Sequence, residues 1–178
     1  MVSKPRIYLD SCCFIDVVKE RVGVLPDGRT KDVWFIKKIL EAHRAGHLVA
    51  HTSMVAVGEC LSVQEGGAAS DDVKDAFRSL LTSGQYVRLL NPTPKTARLM
   101  QDFRWTHNIS LKSVDAMHLA AALEMGCMEF VTMDERLKKP KFIAASPVMG
   151  LLGLRLIAAP FTALLPSTYT QASIQDSP

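Results

Sequence analysis

The stretch Arg6-Ile7-Tyr8-Leu9-Asp10-Ser11 decides how the rest of the chain is read. A short apolar run halted by two turn-favouring polar residues is the pattern of a buried strand feeding a turn, with a helix expected at once. The same alternation continues downstream. Beyond the loop around Gly23 and Gly28, Thr30 is placed to cap a long amphipathic helix carrying Val33, Trp34, Ile36, Ile39 and Leu40 and reaching Gly46. A second strand is expected over residues 47–50. Thr52 and Ser53 then open a helix to Val63, closed by Gly66-Gly67, and Ser70 starts another bearing Val73, Phe77, Leu80 and Leu81. A third strand follows over 86–90. In Asn91-Pro92-Thr93-Pro94, Thr93 is the expected cap and Pro94 the first helical residue of a helix to about His107. Ser113 caps the next helix, Gly126 closes it, and strands are expected over 128–133 and 154–158.

Strands separated by helices require crossover connections, and crossovers make neighbours parallel. The expected architecture is therefore an α/β three-layer sandwich, with a central, mostly parallel sheet of about five strands flanked by helices. One domain over residues 1–160 is expected, followed by a C-terminal tail over 161–178 whose last dozen residues are rich in Ser, Thr and Gln.

Composition bounds the function. At 178 residues, 48% apolar and 22% charged, the chain is globular. A domain of this size hides roughly 70% of its unfolded surface and needs no disulfide or structural metal to fold. Twenty-one basic against 18 acidic residues leave a formal charge of +3, too little for a sequence-independent nucleic-acid coat. Cys12, Cys13, Cys60 and Cys127 match neither a zinc spacing nor a secreted disulfide framework and read as buried small hydrophobes in a reducing cytoplasm. No charged leader with a cleavable apolar stretch opens the chain, and the most apolar region, 148–165, is broken by Arg155 and Pro160. A cytoplasmic protein without a membrane span is expected. Glycine cradles for dinucleotides or nucleoside triphosphates are absent, as is a G-x-S-x-G elbow. A haloacid-dehalogenase-type phosphatase would need a second Asp two positions after the strand-end one, where this chain has Cys12.

In open parallel sheets ligands bind beyond the carboxyl ends of the strands, where Asp10 and Asp134 are expected. Each taken singly is also an ordinary turn or capping aspartate. With residues placed about every 100° around a helix, Glu59 falls on the apolar stripe between Val55 and Val63, and Asp115 groups with Leu119 and Ala122. Both are expected to point inward. A buried carboxylate needs a partner; for Glu59 that could be a Lys or Arg, and Asp115 could simply complement a helix dipole. Four acids at corresponding topological ends, with few basic residues near them in sequence, point instead to a divalent cation. Oxygen ligands without Cys or His select hard cations: Mg²⁺, with Mn²⁺ substituting. Such a site suits phosphodiester hydrolysis by metal-activated water. The hydroxyls of Ser11 and Thr132 are placed to hold a carboxylate or water, or to serve strand-end capping.

The set Tyr8-Leu9-Asp10-Ser11, Glu59, Ser113-Val114-Asp115-Ala116-Met117-His118-Leu119-Ala120-Ala121-Ala122 and Phe130-Val131-Thr132-Met133-Asp134 resembles the PIN-domain ribonucleases, and within them the VapC-like toxins of type II toxin–antitoxin pairs. It spans roughly residues 5 to 158. The resemblance implies a PIN-like parallel sheet, Mg²⁺-dependent endoribonuclease activity, an RNA substrate, frequent homodimers and a cognate antitoxin that occludes the site. Asp10, Glu59, Asp115 and Asp134 fall on the family's catalytic and metal-binding acids, and Ser11 and Thr132 on its accompanying hydroxyls. Cys12-Cys13 stands where such proteins often carry a small polar residue, and the chain is longer than compact toxins.

Lys112, Arg136, Lys138, Lys139 and Lys141 flank Asp115 and Asp134 and could grip RNA phosphates, or form a solvated charged face. His51 and His118 are assigned no catalytic part, isolated histidines being more often packed or surface residues. Asp16 and Asp102 are expected to face water. The competing functional class is a catalytically weak PIN-like RNA-binding or regulatory module that keeps the acids as a remnant. An apolar groove should accept an antitoxin segment.

Overall fold

A computed structural model describes residues 3–64, 68–133, 137 and 139–170, with Lys141 described by its backbone alone. Strand β1 (Arg6–Leu9) runs directly into helix α1 (Ser11–Arg21), as the opening stretch requires. Then follow α2 (Thr30–Arg44), β2 (Val49–Ser53), α3 (Met54–Glu59), α4 (Asp71–Thr82) and β3 (Arg88–Leu90). The second half holds α5 (Pro94–Trp105), α6 (Ser113–Glu124), β4 (Glu129–Thr132), α7 (Pro140–Leu151), β5 (Arg155–Ala158) and α8 (Ser167–Thr170).

The five strands form one sheet in the order β3-β2-β1-β4-β5, and every neighbouring pair is parallel. The chain winds outward from β1 to β3, then crosses back to lay β4 on the other side of β1. Strand order thus reverses at β1, and the crevice beyond its carboxyl end is where such a sheet receives ligands. The apolar run is buried on both faces because successive side chains alternate. Ile7 and Leu9 join Ala50 and Val131 beneath α1, α2 and α4, while Tyr8 joins Phe130 beneath α5, α6 and α7.

Local chemistry accounts for where elements begin and end. Ser70 accepts the Val73 N–H at the start of α4, and Thr93 caps α5 in a reciprocal box with Thr96, with Pro94 first in the helix. Thr30 and Ser113, expected as caps, are instead the first helical residues after Arg29 and Lys112, neither of which makes a side-chain cap bond. Strand β2 starts later than expected because residues 46 and 47 close α2: the Gly46 N–H (φ 76°) donates to the His43 carbonyl and the His47 N–H to that of Ala42. It also runs on through Ser53, pairing Thr52 with Leu89 and Ser53 with Leu90. Helix α3 stops at Glu59 rather than Val63, with Cys60 leaving helical geometry; Gly66-Gly67 lie outside the described residues.

Two features were not anticipated. Helix α7 buries Phe142, Ala145 and Met149 on one side although it contains Pro147. Asp16, expected in water, is only 6% exposed and is held by Arg29 at 2.6 Å and Lys19 at 3.6 Å. Over residues 161–170 the chain lies on the body: Leu165 enters the core, the Thr162 hydroxyl donates to buried Glu129, and the Tyr169 hydroxyl meets His47 at 3.1 Å. Among the described residues no helix is long and apolar enough to cross a membrane.

Candidate metal centre

Asp10 leaves the carboxyl end of β1 as the N-cap of α1, with its backbone N–H still donating to the Val131 carbonyl of β4. That double duty fixes its side chain over the crevice. Its Oδ1 accepts the Ser11 N–H at 2.8 Å, with the Ser11 hydroxyl farther off at 3.4 Å. Its Oδ2 accepts the Thr132 hydroxyl at 3.0 Å and faces the Cys12 thiol at 3.4 Å. Thr132 can do this because it closes β4, the neighbour of β1, in a register that pairs Leu9 with Val131. Both hydroxyl residues expected to support the acids thus lie against Asp10. Cys12, read from sequence only as a hydrophobe, belongs to the same network: its sulfur lies 3.1 Å from the Thr132 hydroxyl and accepts the Met133 N–H.

Glu59 arrives from the next strand over, as the last residue of the short helix after β2. It is half-buried and meets His118, with His118 Nε2 2.7 Å from Glu59 Oε2. His118 sits within α6, almost wholly buried, and its Nδ1 lies 2.7 Å from the Tyr8 hydroxyl and 3.4 Å from that of Ser53. Tyr8 is itself immobilised by stacking on Phe130, with ring centres 5.3 Å apart and planes 9° from parallel. Burial pushes the Tyr8 phenol well above its ordinary value, so it remains a hydroxyl and a donor.

Ligand atoms of Asp10, Glu59 and His118 all lie within 4.8 Å of one another. Asp115 is buried one helical turn before His118, in the first turn of α6, as its position on the wheel required. It is not part of that close trio. Asp134, Arg136 and Lys138 lie outside the described residues, as does the Lys141 side chain; Lys112 and Lys139 are exposed at the starts of α6 and α7. His51, expected after β2, lies inside it and is buried.

The carboxylates act on the thiol next to them. Burial, and after it the charges of Glu59 and Asp10, push the Cys60 thiol up to about 12, so it stays protonated. Two carboxylates from separate elements, brought within coordination reach of each other and steadied by hydroxyl donors, form an oxygen-rich donor set of the kind hard divalent cations prefer. Carboxylate oxygens offer about four lone-pair positions, so Asp10 can accept its protein donors and still face a cation.

The model of the PIN domain family matches residues 7–143. Among solved structures, that of VapBC2 from Rickettsia felis bound to a DNA fragment from their promoter is similar, with a TM-score of 0.55 at 12% identity over 86% of this chain and 98% of that one. The structure of FitAB bound to the IR36 DNA fragment gives a TM-score of 0.54 at 18% identity over 85% and 94%. At such identities the likeness is one of fold. No curated protein sequence matches significantly. The matched segment runs from β1 into α7, takes in the whole crevice and covers well over half of the sequence, so the chain belongs to the PIN domain family.

Proposed function

We propose that the protein is a Mg²⁺-dependent endoribonuclease, with Mn²⁺ able to substitute, and that it acts in the cytoplasm as the toxin of a toxin–antitoxin pair. PIN domains are generally nucleases. The observation that carries the reading is the convergence of Asp10 and Glu59, 49 positions apart in sequence, within 4.8 Å at the carboxyl edge of the sheet. Asp10, Glu59, Asp115 and Asp134 are the residues that would hold the ion. When bound, the ion supplies a water of lowered pKa for in-line attack and charge stabilisation on the leaving oxygen.

The chain's own residues do the rest. Ser11 and Thr132 fix the Asp10 carboxylate by donating to its two oxygens. Lys112 and Lys139, exposed at the starts of α6 and α7 and flanking Asp115 and Asp134 in sequence, would take phosphates on either side of the cut, with Arg136 and Lys138 continuing the same cationic stretch of sequence. No protein nucleophile is needed, and the two buried neighbouring thiols, Cys13 and Cys60, are held protonated.

The toxin assignment rests on the resemblance to VapC-like proteins, on the fold shared with VapBC2 and FitAB, and on a groove of about 420 Å³ between α1, α2 and α4. Val17, Val18, Leu40 and Leu80 line it, and Glu20 and Lys37 stand at its rim. It suits an amphipathic segment such as an antitoxin would supply. A homodimer is part of the same proposal.

The test is RNA cleavage with and without Mg²⁺ or Mn²⁺ by the parent, Asp10→Asn and Asp115→Asn. Metal-dependent cleavage by the parent, lost in both variants, is the expected outcome. RNA binding that persists in all three proteins without cleavage by any would assign a binding module instead.

A further inference from the structure

Among the described residues the donor set of the crevice contains one nitrogen base, and its two ring nitrogens are already occupied. A carboxylate has no proton to donate at neutral pH, so the 2.7 Å contact between His118 Nε2 and Glu59 Oε2 requires the proton on Nε2. In the neutral imidazole Nδ1 is then the acceptor, and the Tyr8 hydroxyl stands 2.7 Å from it as donor. Burial keeps the phenol protonated and able to fill that role. In this tautomer the nitrogen that faces Glu59 has no lone pair to give a cation, and the nitrogen with the lone pair is turned toward Tyr8 and Ser53.

Burial divides the partners in the same way. Glu59 ends a six-residue helix, its side chain is 29% exposed, and three torsions separate its carboxylate from the backbone. His118 is 1% exposed within a twelve-residue helix and meets the edge-on Tyr8 ring at 5.9 Å, while Tyr8 is clamped on Phe130. His118 is thus the closely packed partner and Glu59 the more exposed one. We infer that His118 is a positioning residue: held by Tyr8, it donates from Nε2 to Glu59 and sets that carboxylate toward Asp10, rather than ligating the ion itself. The inference deepens the metal-dependent nuclease reading and rests on it. It extends the relay Phe130, Tyr8, His118, Glu59 from the core of the sheet to the crevice.

The experiment combines Mn²⁺ affinity, measured by the electron paramagnetic resonance of free Mn²⁺, with imidazole nitrogen NMR of the full chain. His118→Ala should weaken Mn²⁺ binding and slow RNA cleavage by about 10- to 100-fold, the usual effect of losing a group that orients a ligand. His118→Gln, whose amide nitrogen reaches the place of Nε2, should recover affinity to within about threefold of the parent. In a Glu59→Ala background, His118→Ala should have no further effect, because the group it positions is gone. The parent's His118 should keep its Nε2 proton with and without saturating Mg²⁺.

Loss of that proton on Mg²⁺ addition, no rescue by Gln, or an equal loss from His118→Ala in the Glu59→Ala background would each overturn the inference and make His118 a ligand or a merely structural residue. Should His118→Ala fail to fold, as judged by circular dichroism, the Gln variant and the parent's spectra still decide. A parent that binds Mn²⁺ but leaves RNA intact defeats the nuclease reading while the affinity and tautomer results still judge His118; a parent that binds no Mn²⁺ defeats both.

Discussion

His51 makes the stability of this fold depend on acid. It lies in β2 between Tyr8 of β1 and Arg88 of β3, it is 2% exposed, and neither ring nitrogen has a hydrogen-bond partner among the described residues. Burial, and after it the charges of Arg6, Arg88 and His43, lower its pKa from 6.5 to about 4. The unfolded chain takes up a proton at this position below pH 6.5, whereas the folded one does so only near 4. In that window the unfolded state holds more protons, so stability falls as pH falls. The whole drop corresponds to about 3 kcal/mol, of which about 2 kcal/mol is already lost on going from pH 7 to pH 5. Urea unfolding of the parent and of His51→Leu at both pH values isolates the effect, because the carboxylates that titrate in the same range are common to both proteins. The parent should lose about 2 kcal/mol more than the variant between pH 7 and pH 5. At pH 7 the variant should be no less stable, since it removes buried polar atoms that lack partners. Identical losses in the two proteins, or an imidazole of His51 seen by NMR to titrate above pH 6, would refute the reasoning.

Other expectations follow from single contacts. Thr132→Val removes the hydroxyl that donates to Asp10 Oδ2 at 3.0 Å and should weaken Mn²⁺ binding about 10-fold or more, read by titration, while changing the midpoint of thermal unfolding little. Arg29→Met leaves Asp16 buried with only the more distant Lys19 and frees the Met133 carbonyl that Arg29 also holds at 2.6 Å; urea unfolding should show a loss of about 3 kcal/mol. Glu124 keeps the start of α5 against the end of α6 by accepting the hydroxyls of Thr93 and Thr96. Desolvation opposes its charge, but those two bonds outweigh it and hold its carboxyl below the ordinary range. Its contribution should therefore be present at neutral pH and fade as acid reaches the folded carboxyl's pKa, so that Glu124→Ala destabilises at pH 7 by about 2 kcal/mol and by less at pH 3.

Helix ends show how far local chemistry can be read. Ser70 and the Thr93-Pro94 pair carry their capping role in the residue types themselves, and the structure has both. Strand β2 lies a few residues beyond its expected place because Gly46 and His47 read equally as the end of a helix or the start of a strand, and only the bonds back to His43 and Ala42 decide for the helix. Asp16 looked solvent-facing because the guanidinium that neutralises it stands thirteen positions later, across a glycine-containing loop. Helix α7 is not legible in the sequence because an internal Pro147 and a continuous apolar run obscure helical spacing.

By itself the sequence determined the alternation of elements, the parallel sheet that alternation forces, the place of Asp10 at a strand's carboxyl end and the inward direction of Glu59 and Asp115, because strand and helix periods and the cost of burying charge are properties of short stretches. Only the tertiary structure decided who partners whom. It put Thr132 and Cys12 on Asp10, and it set Tyr8 and Glu59 on opposite nitrogens of His118, a residue 59 positions from one and 110 from the other. A histidine takes its part from the proton on each nitrogen, and that is set by neighbours the chain supplies only when β1, α3 and α6 meet.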